Sequence, residues 1–263
     1  MGKNKNKNKN RKFQEEKEFN KLMANNGEWE LQVTKKEIER LIPNNITVKA
    51  KNDKQIKLIN SIRNNEITIC AGPAGTGKTF VSVAYALALL RKLQNRFQKI
   101  YLVKSVTTLK GEEVGFLKGD LREKIEPFMW SYFINMEKII QKNSLTQLLE
   151  EDIIRPFPLA YMRGASLDDC IIIADEMQNV SLDNSRTLLT RIGSNCKLIL
   201  LGDINQVDMK NKEESSLEKL LDLFEGTDGF GVINMGMEDT NVRNPLITTI
   251  EEKYTEFYES NGK

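Results

Sequence analysis

Glu66-Ile67-Thr68-Ile69-Cys70-Ala71-Gly72-Pro73-Ala74-Gly75-Thr76-Gly77-Lys78-Thr79-Phe80 is the stretch on which the reading of this 263-residue chain turns. Glu66–Ala71 is a short, largely apolar run with the composition of a buried strand, and Lys78–Leu93 reads as a helix. The glycine-rich loop between them has the Gly-x-x-x-x-Gly-Lys-Thr spacing of a phosphate cradle, in the strand–loop–helix context that such a cradle needs. Glycines let the backbone curl until several N–H groups point inward, and the helix adds the positive end of its dipole. Lys78 is then expected to reach the β- and γ-phosphates of a nucleotide, and Thr79 to ligate Mg²⁺ through its hydroxyl. The whole segment from Gly72 to Phe80 is assigned to nucleotide binding.

Two further apolar runs end in polar groups. Cys170-Ile171-Ile172-Ile173-Ala174 is followed by Asp175-Glu176. A strand ending in two acids places both at the carboxyl edge of a sheet, where ligands of open α/β sheets bind. Asp175 is expected to hold Mg²⁺ through its water shell, and Glu176 to polarise an attacking water. Few groups are needed, because phosphoryl transfer is catalysed mainly by positioning and charge. Leu198-Ile199-Leu200-Leu201 leads into Gly202-Asp203-Ile204-Asn205-Gln206. The Gln206 amide can donate to a γ-phosphate and accept from a water, so it could distinguish ATP from ADP.

The rest of the chain alternates in the same way. Helices are expected at Thr34–Leu41, Asp53–Arg63 (with Ile56, Ile59 and Ile62 on one face), Asp120–Gln141, Ser181–Ile192, Ser215–Phe224 and Pro245–Tyr258. Pro127 should begin or kink the third of these, and Ser181 is the N-cap of the fourth. Additional strands are read at Lys99–Val103 and Gly231–Asn234. Continuous apolar strands separated by helices imply an α/β fold with a mostly parallel central sheet between helical layers. Three regions follow: a basic tail at 1–12, a segment at 13–50 that packs on the core, and the main domain at 51–263.

Charge is unevenly divided. Lys3, Lys5, Lys7, Lys9, Arg11 and Lys12 leave 33 of the 39 basic residues to face all 37 acidic ones, so the body is net −4. The Lys-Asn tail is low in complexity with nothing to bury. It reads either as an electrostatic tether to nucleic acid or as a solvated tail without a role. The chain has no histidine, which excludes histidine-based triads, histidine metal clusters and histidine acid–base chemistry. Cys70, Cys170 and Cys196 are scattered in apolar runs, as buried thiols of a reducing compartment would be. No apolar run approaches the ~20 residues of a membrane helix, and the basic N-terminus lacks the apolar stretch of a secretory signal. A cytoplasmic location and no membrane partner are expected.

The order of motifs resembles one family. Pro158-Leu159-Ala160-Tyr161-Met162-Arg163-Gly164, the Asp-Glu strand, Gln178-Asn179, Leu189-Thr190-Arg191-Ile192-Gly193 and Gly202-Asp203-Ile204-Asn205-Gln206-Val207-Asp208 are similar to those of the PhoH-like ATPases. Gly111–Asp120 and Asn241-Val242-Arg243-Asn244-Pro245-Leu246 match as well, so the likeness spans about 50–258. That family resembles the first motor domain of superfamily-one helicases. The resemblance implies a three-layer RecA-like P-loop fold, with the strand before Gly202 lying between the phosphate-loop strand and the Asp-Glu strand. It also implies that Gln55 reads the adenine edge, and that Arg243 or Arg191 is an arginine finger. The chain departs from the family at Lys104-Ser105-Val106, where Arg-Pro is usual, at Gly164-Ala165-Ser166, and at Asn244, where histidine is common. These departures bear on contacts with nucleic acid or neighbouring subunits.

The expectation is therefore a Mg²⁺-dependent ATPase acting as a helicase-like motor on single-stranded nucleic acid, with RNA favoured. Lys104, Lys110 and Lys118 surround a candidate strand-contacting loop. A single motor domain in this length means that the finger comes from a neighbouring copy or else acts within the subunit; a homo-oligomer is expected, with a hexameric ring favoured. The alternative is an ATP-gated regulatory or assembly module without unwinding, which the acidic body would suit.

Overall fold

The computed structural model describes residues 35–105, 121–159, 162, 164, 166–209, 211–239 and 245–260. The tail at 1–12, Lys110, Lys118 and Arg243 lie outside the described residues. Among the described residues, six strands form one sheet: β1 (Ile67–Ala71), β2 (Lys99–Lys104), β3 (Ile154–Pro158), β4 (Cys170–Asp175), β5 (Lys197–Gly202) and β6 (Phe230–Asn234). Their order is β3-β2-β4-β5-β1-β6, and every neighbouring pair is parallel. β5 lies between β1 and β4, the order implied by the family resemblance. β1, β4 and β5 are buried at every position, as a parallel sheet covered on both faces requires.

The helices are α1 (Lys35–Leu41), α2 (Asp53–Asn64), α3 (Lys78–Lys92), α4 (Leu121–Glu137), α5 (Lys142–Glu150), α6 (Leu182–Leu189), α7 (Leu217–Phe224) and α8 (Pro245–Ser260). Strand alternation shows that α2 and α7 cover opposite faces. The Thr68 hydroxyl meets Ser61 of α2 at 2.8 Å, and a Cβ on Gly231, the register partner of Thr68, would strike the same serine. Gly202 is in register with Ala71, three residues from Thr68 and so of opposite parity, and a Cβ there would lie 2.6 Å from Leu217 of α7. Residues of opposite parity point to opposite faces. The fold is thus a three-layer α/β/α sandwich. Leu87 and Leu90 of α3, Ile69 of β1, Ile173 of β4 and Leu200 of β5 are completely buried; each contributes roughly 1.5–3 kcal/mol of apolar transfer.

Several elements differ from the sequence reading. On α2 the buried face is Gln55, Leu58 and Ile62, while Ile56 is 48% exposed. A hydrogen-bonded glutamine occupies a core position there, which hides the true apolar stripe. Pro127 lies inside α4, so of the two expectations for it, the helix start is the one that does not hold. β3 and α5 have no counterpart in the sequence reading. β3 carries Pro156 and Pro158, and it is the outermost strand, paired with β2. The two prolines share one parity, so their missing N–H groups fall on one side of an edge strand, where proline is tolerated.

Of the segment at 13–50, Ile38, Leu41 and Ile42 are buried, and Arg91 of α3 donates to the Ile42 carbonyl at 3.1 Å. All three cysteines are buried and free. No helix among the described residues is long and apolar enough to cross a membrane.

Candidate active site

The loop between β1 and α3 turns on two glycines in the left-handed region, Gly75 at φ 86° and Gly77 at φ 82°. L-residues reach that region only with strain. Gly72 is needed for a different reason: a Cβ would sit 2.6 Å from Met235 Cβ, so only glycine lets the loop leave β1 beside the end of β6. Thr76 is fully buried, and its hydroxyl donates to the Pro73 carbonyl at 3.0 Å. Lys78 opens α3 and turns back over the loop, donating to the Gly72 and Pro73 carbonyls at 2.5 and 2.9 Å.

The ends of β4 and β5 complete the floor. The Thr79 hydroxyl donates to Asp175 Oδ2 at 2.9 Å, and Asp175 Oδ1 accepts the Glu176 N–H at 2.9 Å. Glu176 sits at φ 60°, ψ 36°, a left-handed conformation that non-glycine residues rarely hold and that clusters at functional sites. Its carboxylate is gripped on both sides. Gln178 Nε2 donates to Oε2 at 2.6 Å, and the Lys104 ammonium lies 3.5 Å from Oε1. Asp203, directly after β5, accepts from the Asn205 N–H at 3.0 Å.

Burial sets the electrostatics. It pulls the Lys78 ammonium below its ordinary range, against the nearby acids. It pushes the Asp175 carboxyl up, with the Glu176 charge adding to the effect. Asp203 is also raised by burial. A buried cation and a buried carboxylate each gain from a ligand of opposite charge. Lys78 suits a phosphate, and the paired Thr79 and Asp175 oxygens suit a hard divalent cation. On donor chemistry, the residues present fit Mg²⁺ and a nucleoside triphosphate.

The PhoH-like protein family profile matches residues 47–255. The chain belongs to the PhoH-like protein family. PhoH-like proteins of Synechocystis sp. and Bacillus subtilis are 35% and 34% identical over 207 and 208 residues, each covering 79% of this chain. Protein PhoH of Escherichia coli is 32% identical over 193 residues, or 72% of the chain. The chain spans 62%, 64% and 53% of the lengths of these three relatives. Among solved structures, a SWI2/SNF2 ATPase core from Sulfolobus solfataricus in complex with dsDNA aligns over 78% of this chain and 48% of its own, at 15% identity and a TM-score of 0.45. The large terminase of a thermophilic bacteriophage aligns over 78% and 50%, at 13% identity and a TM-score of 0.43.

Within this PhoH-like fold, Lys78, Thr79, Asp175 and Glu176 come together as the motifs suggest. Gln206 lies at the exposed rim, with its N–H donating to the Asp203 carbonyl at 3.1 Å. Gln55 is buried beneath the loop. Its Nε2 donates to the Thr76 carbonyl at 2.8 Å and its Oε1 accepts the Lys51 N–H at 2.9 Å, so both ends of the carboxamide brace backbone.

Arg191 is not brought to the site. Ile192 bridges to Leu167, before β4 begins, whereas Thr79 meets β4 at its last residue. The length of β4, about 17 Å, separates the two edges. Lys104 pairs with Glu176 at the site. Lys104, Gln178 and Asp203 are the members of the site that sequence reasoning does not assign. Asp203 is itself part of the polar end of β5, and Gln178 follows Glu176 by two residues; both lie in the stretches that carry the family resemblance.

Proposed function

We propose that this chain binds ATP with Mg²⁺ and hydrolyses its terminal phosphoryl bond. The observation that carries this is the 2.9 Å hydroxyl–carboxylate pair of Thr79 and Asp175, beside Lys78 and next to Glu176. Lys78 leaves the loop carbonyls for the β- and γ-phosphates. Thr79 and Asp175 would hold Mg²⁺, which would supply positive charge to offset that of the phosphate oxygens. Glu176 orients water against the γ-phosphorus, Gln206 meets the γ-phosphate from the rim, and ADP leaves with the bridging oxygen. In-line transfer of this kind needs charge and alignment more than covalent chemistry. Gln55 holds the loop in register beneath the nucleotide, and the adenine-reading role rests on the family resemblance alone.

The hydrolysis is coupled to single-stranded nucleic acid, RNA before DNA. Support comes from the helicase-like motif order and from the six cations of residues 1–12. A finger supplied by a neighbouring copy fits Arg191, which stands at the far sheet edge from its own Thr79, and a homo-oligomeric ring would place it. The second reading, an ATP-gated assembly module, draws on the net −4 of the remaining residues. Phosphate release with and without single-stranded RNA or DNA, at low and moderate salt, separates them. Stimulation by polymer that falls steeply with salt is expected of the motor. Mg²⁺-dependent release indifferent to polymer would favour the module.

A further inference from the structure

We propose that Gln178 is a positioning residue for hydrolysis. Its carboxamide ties the Glu176 carboxylate to the backbone of the loop that carries Gln206, so that engagement of the terminal phosphate by that loop sets the direction of Glu176. This rests on the hydrolytic function proposed above.

Gln178 lies in a three-residue turn, Met177–Asn179, directly after β4, and is 1% exposed. Its two polar atoms are both used. The Asp203 N–H donates to Oε1 at 3.1 Å, and Nε2 donates to Glu176 Oε2 at 2.6 Å. The orientation of the amide is fixed by chemistry: a backbone N–H can only donate, so it must face the oxygen, and the NH₂ group must then face the carboxylate. The bond to Glu176 is charge-assisted and therefore of the stronger kind.

The linkage continues outward. The Gln206 N–H donates to the Asp203 carbonyl at 3.1 Å. A path of hydrogen bonds thus runs Gln206–Asp203–Gln178–Glu176. There is little slack in it. A Cβ on Gly202 would lie 2.5 Å from Gln178 Oε1, so the β5 exit is packed against the amide itself. The next residue repeats the device. The Asp208 N–H donates to Asn179 Oδ1 at 2.7 Å, and Asn179 Nδ2 reaches Asp208 Oδ2 at 3.4 Å. Consecutive amides thereby hold both ends of the loop from Asp203 to Asp208. Lys104 on the other Glu176 oxygen leaves the carboxylate between a cation and an amide. A shift of the loop must then pass to Glu176, whose left-handed backbone gives it few alternative placements.

The test compares Gln178→Met and Gln178→Glu in the full chain, by steady-state and single-turnover phosphate release and by affinity for a fluorescent ATP analogue. Gln178→Met should lower kcat by about 10²-fold, with KM and analogue affinity unchanged. Gln178→Glu, nearly identical in shape, should fall further, because it replaces the donor with a like charge beside Glu176. In a Glu176→Gln background, Gln178→Met should add no further loss, since the two residues act as one unit. Variants that hydrolyse like the wild type, or losses that add in full and move KM in step, would overturn the proposal. If Gln178→Met melts below the assay temperature, the isosteric Gln178→Glu decides alone. An inactive wild type would overturn the hydrolytic function and this proposal with it. An active wild type with unaffected variants overturns only the proposal.

Discussion

Thr79 and Asp175 are 96 residues apart in sequence, yet the threonine hydroxyl donates to the aspartate carboxylate at 2.9 Å. The first residues of α3 and the last residue of β4 can meet because only β5 separates β1 from β4. Two oxygen donors held at one point make a ready position for a hard cation.

Thr79→Ala removes one of those oxygens without adding bulk. Phosphate release at saturating Mg²⁺ is expected to drop by about 10²-fold, the size seen when one preorganised electrostatic group is lost. Nucleotide affinity measured in the presence of chelator should be unchanged. Equal losses with and without the metal would remove Thr79 from the metal site.

Glu176→Gly tests the strain at φ 60°. Glycine relieves a left-handed penalty of roughly 1–2 kcal/mol, and it removes the charge that pushes the Asp175 carboxyl up. The variant should lose turnover and melt no higher than the wild type, because the charge-assisted Gln178 bond and the Lys104 ion pair go with the carboxylate. A higher melting temperature would show that the strain outweighs the Lys104 and Gln178 contacts.

Cys70, buried two residues before Gly72, has its thiol pushed up to about 12, mainly by burial and against the pull of Lys78. Only the thiolate alkylates readily. At pH 8 the native chain is expected to leave Cys70 unmodified by iodoacetamide, and denatured chain to react. The unfolded thiol titrates near its ordinary 9.0, so between about 9 and 12 the unfolded state has lost a proton that the native state keeps. This group's contribution to stability therefore falls as pH rises through that window. Rapid native labelling of Cys70, located by peptide mass, would contradict the burial.

The phosphate loop and the two polar strand ends are legible in the sequence because each depends on local pattern, and the sheet order follows from the family resemblance those motifs carry. Glycines mark left-handed turns, apolar runs mark buried strands, and acids at strand ends mark the ligand edge. What is not legible depends on pairing between distant residues. β3 contains Pro156 and Pro158, which a strand tolerates at a sheet edge, and that edge position is set by pairing with β2. Gln55 breaks the apolar stripe of α2 because its partners, Lys51 N–H and Thr76 carbonyl, lie outside the helix. Lys104 reads as part of a nucleic-acid surface, whereas its ion-pair partner is Glu176. Arg191 follows a family motif that sequence cannot place at one sheet edge or the other.

The most direct measurement is phosphate release from ATP and Mg²⁺ by the wild type and by Glu176→Gln, alongside nucleotide affinity for both. The expected result is Mg²⁺-dependent turnover in the wild type and a drop of about 10²–10⁴-fold in the variant, with affinity held. Turnover that survives Glu176→Gln, or a wild type that binds ATP and never releases phosphate, would contradict the placement of hydrolysis at Glu176.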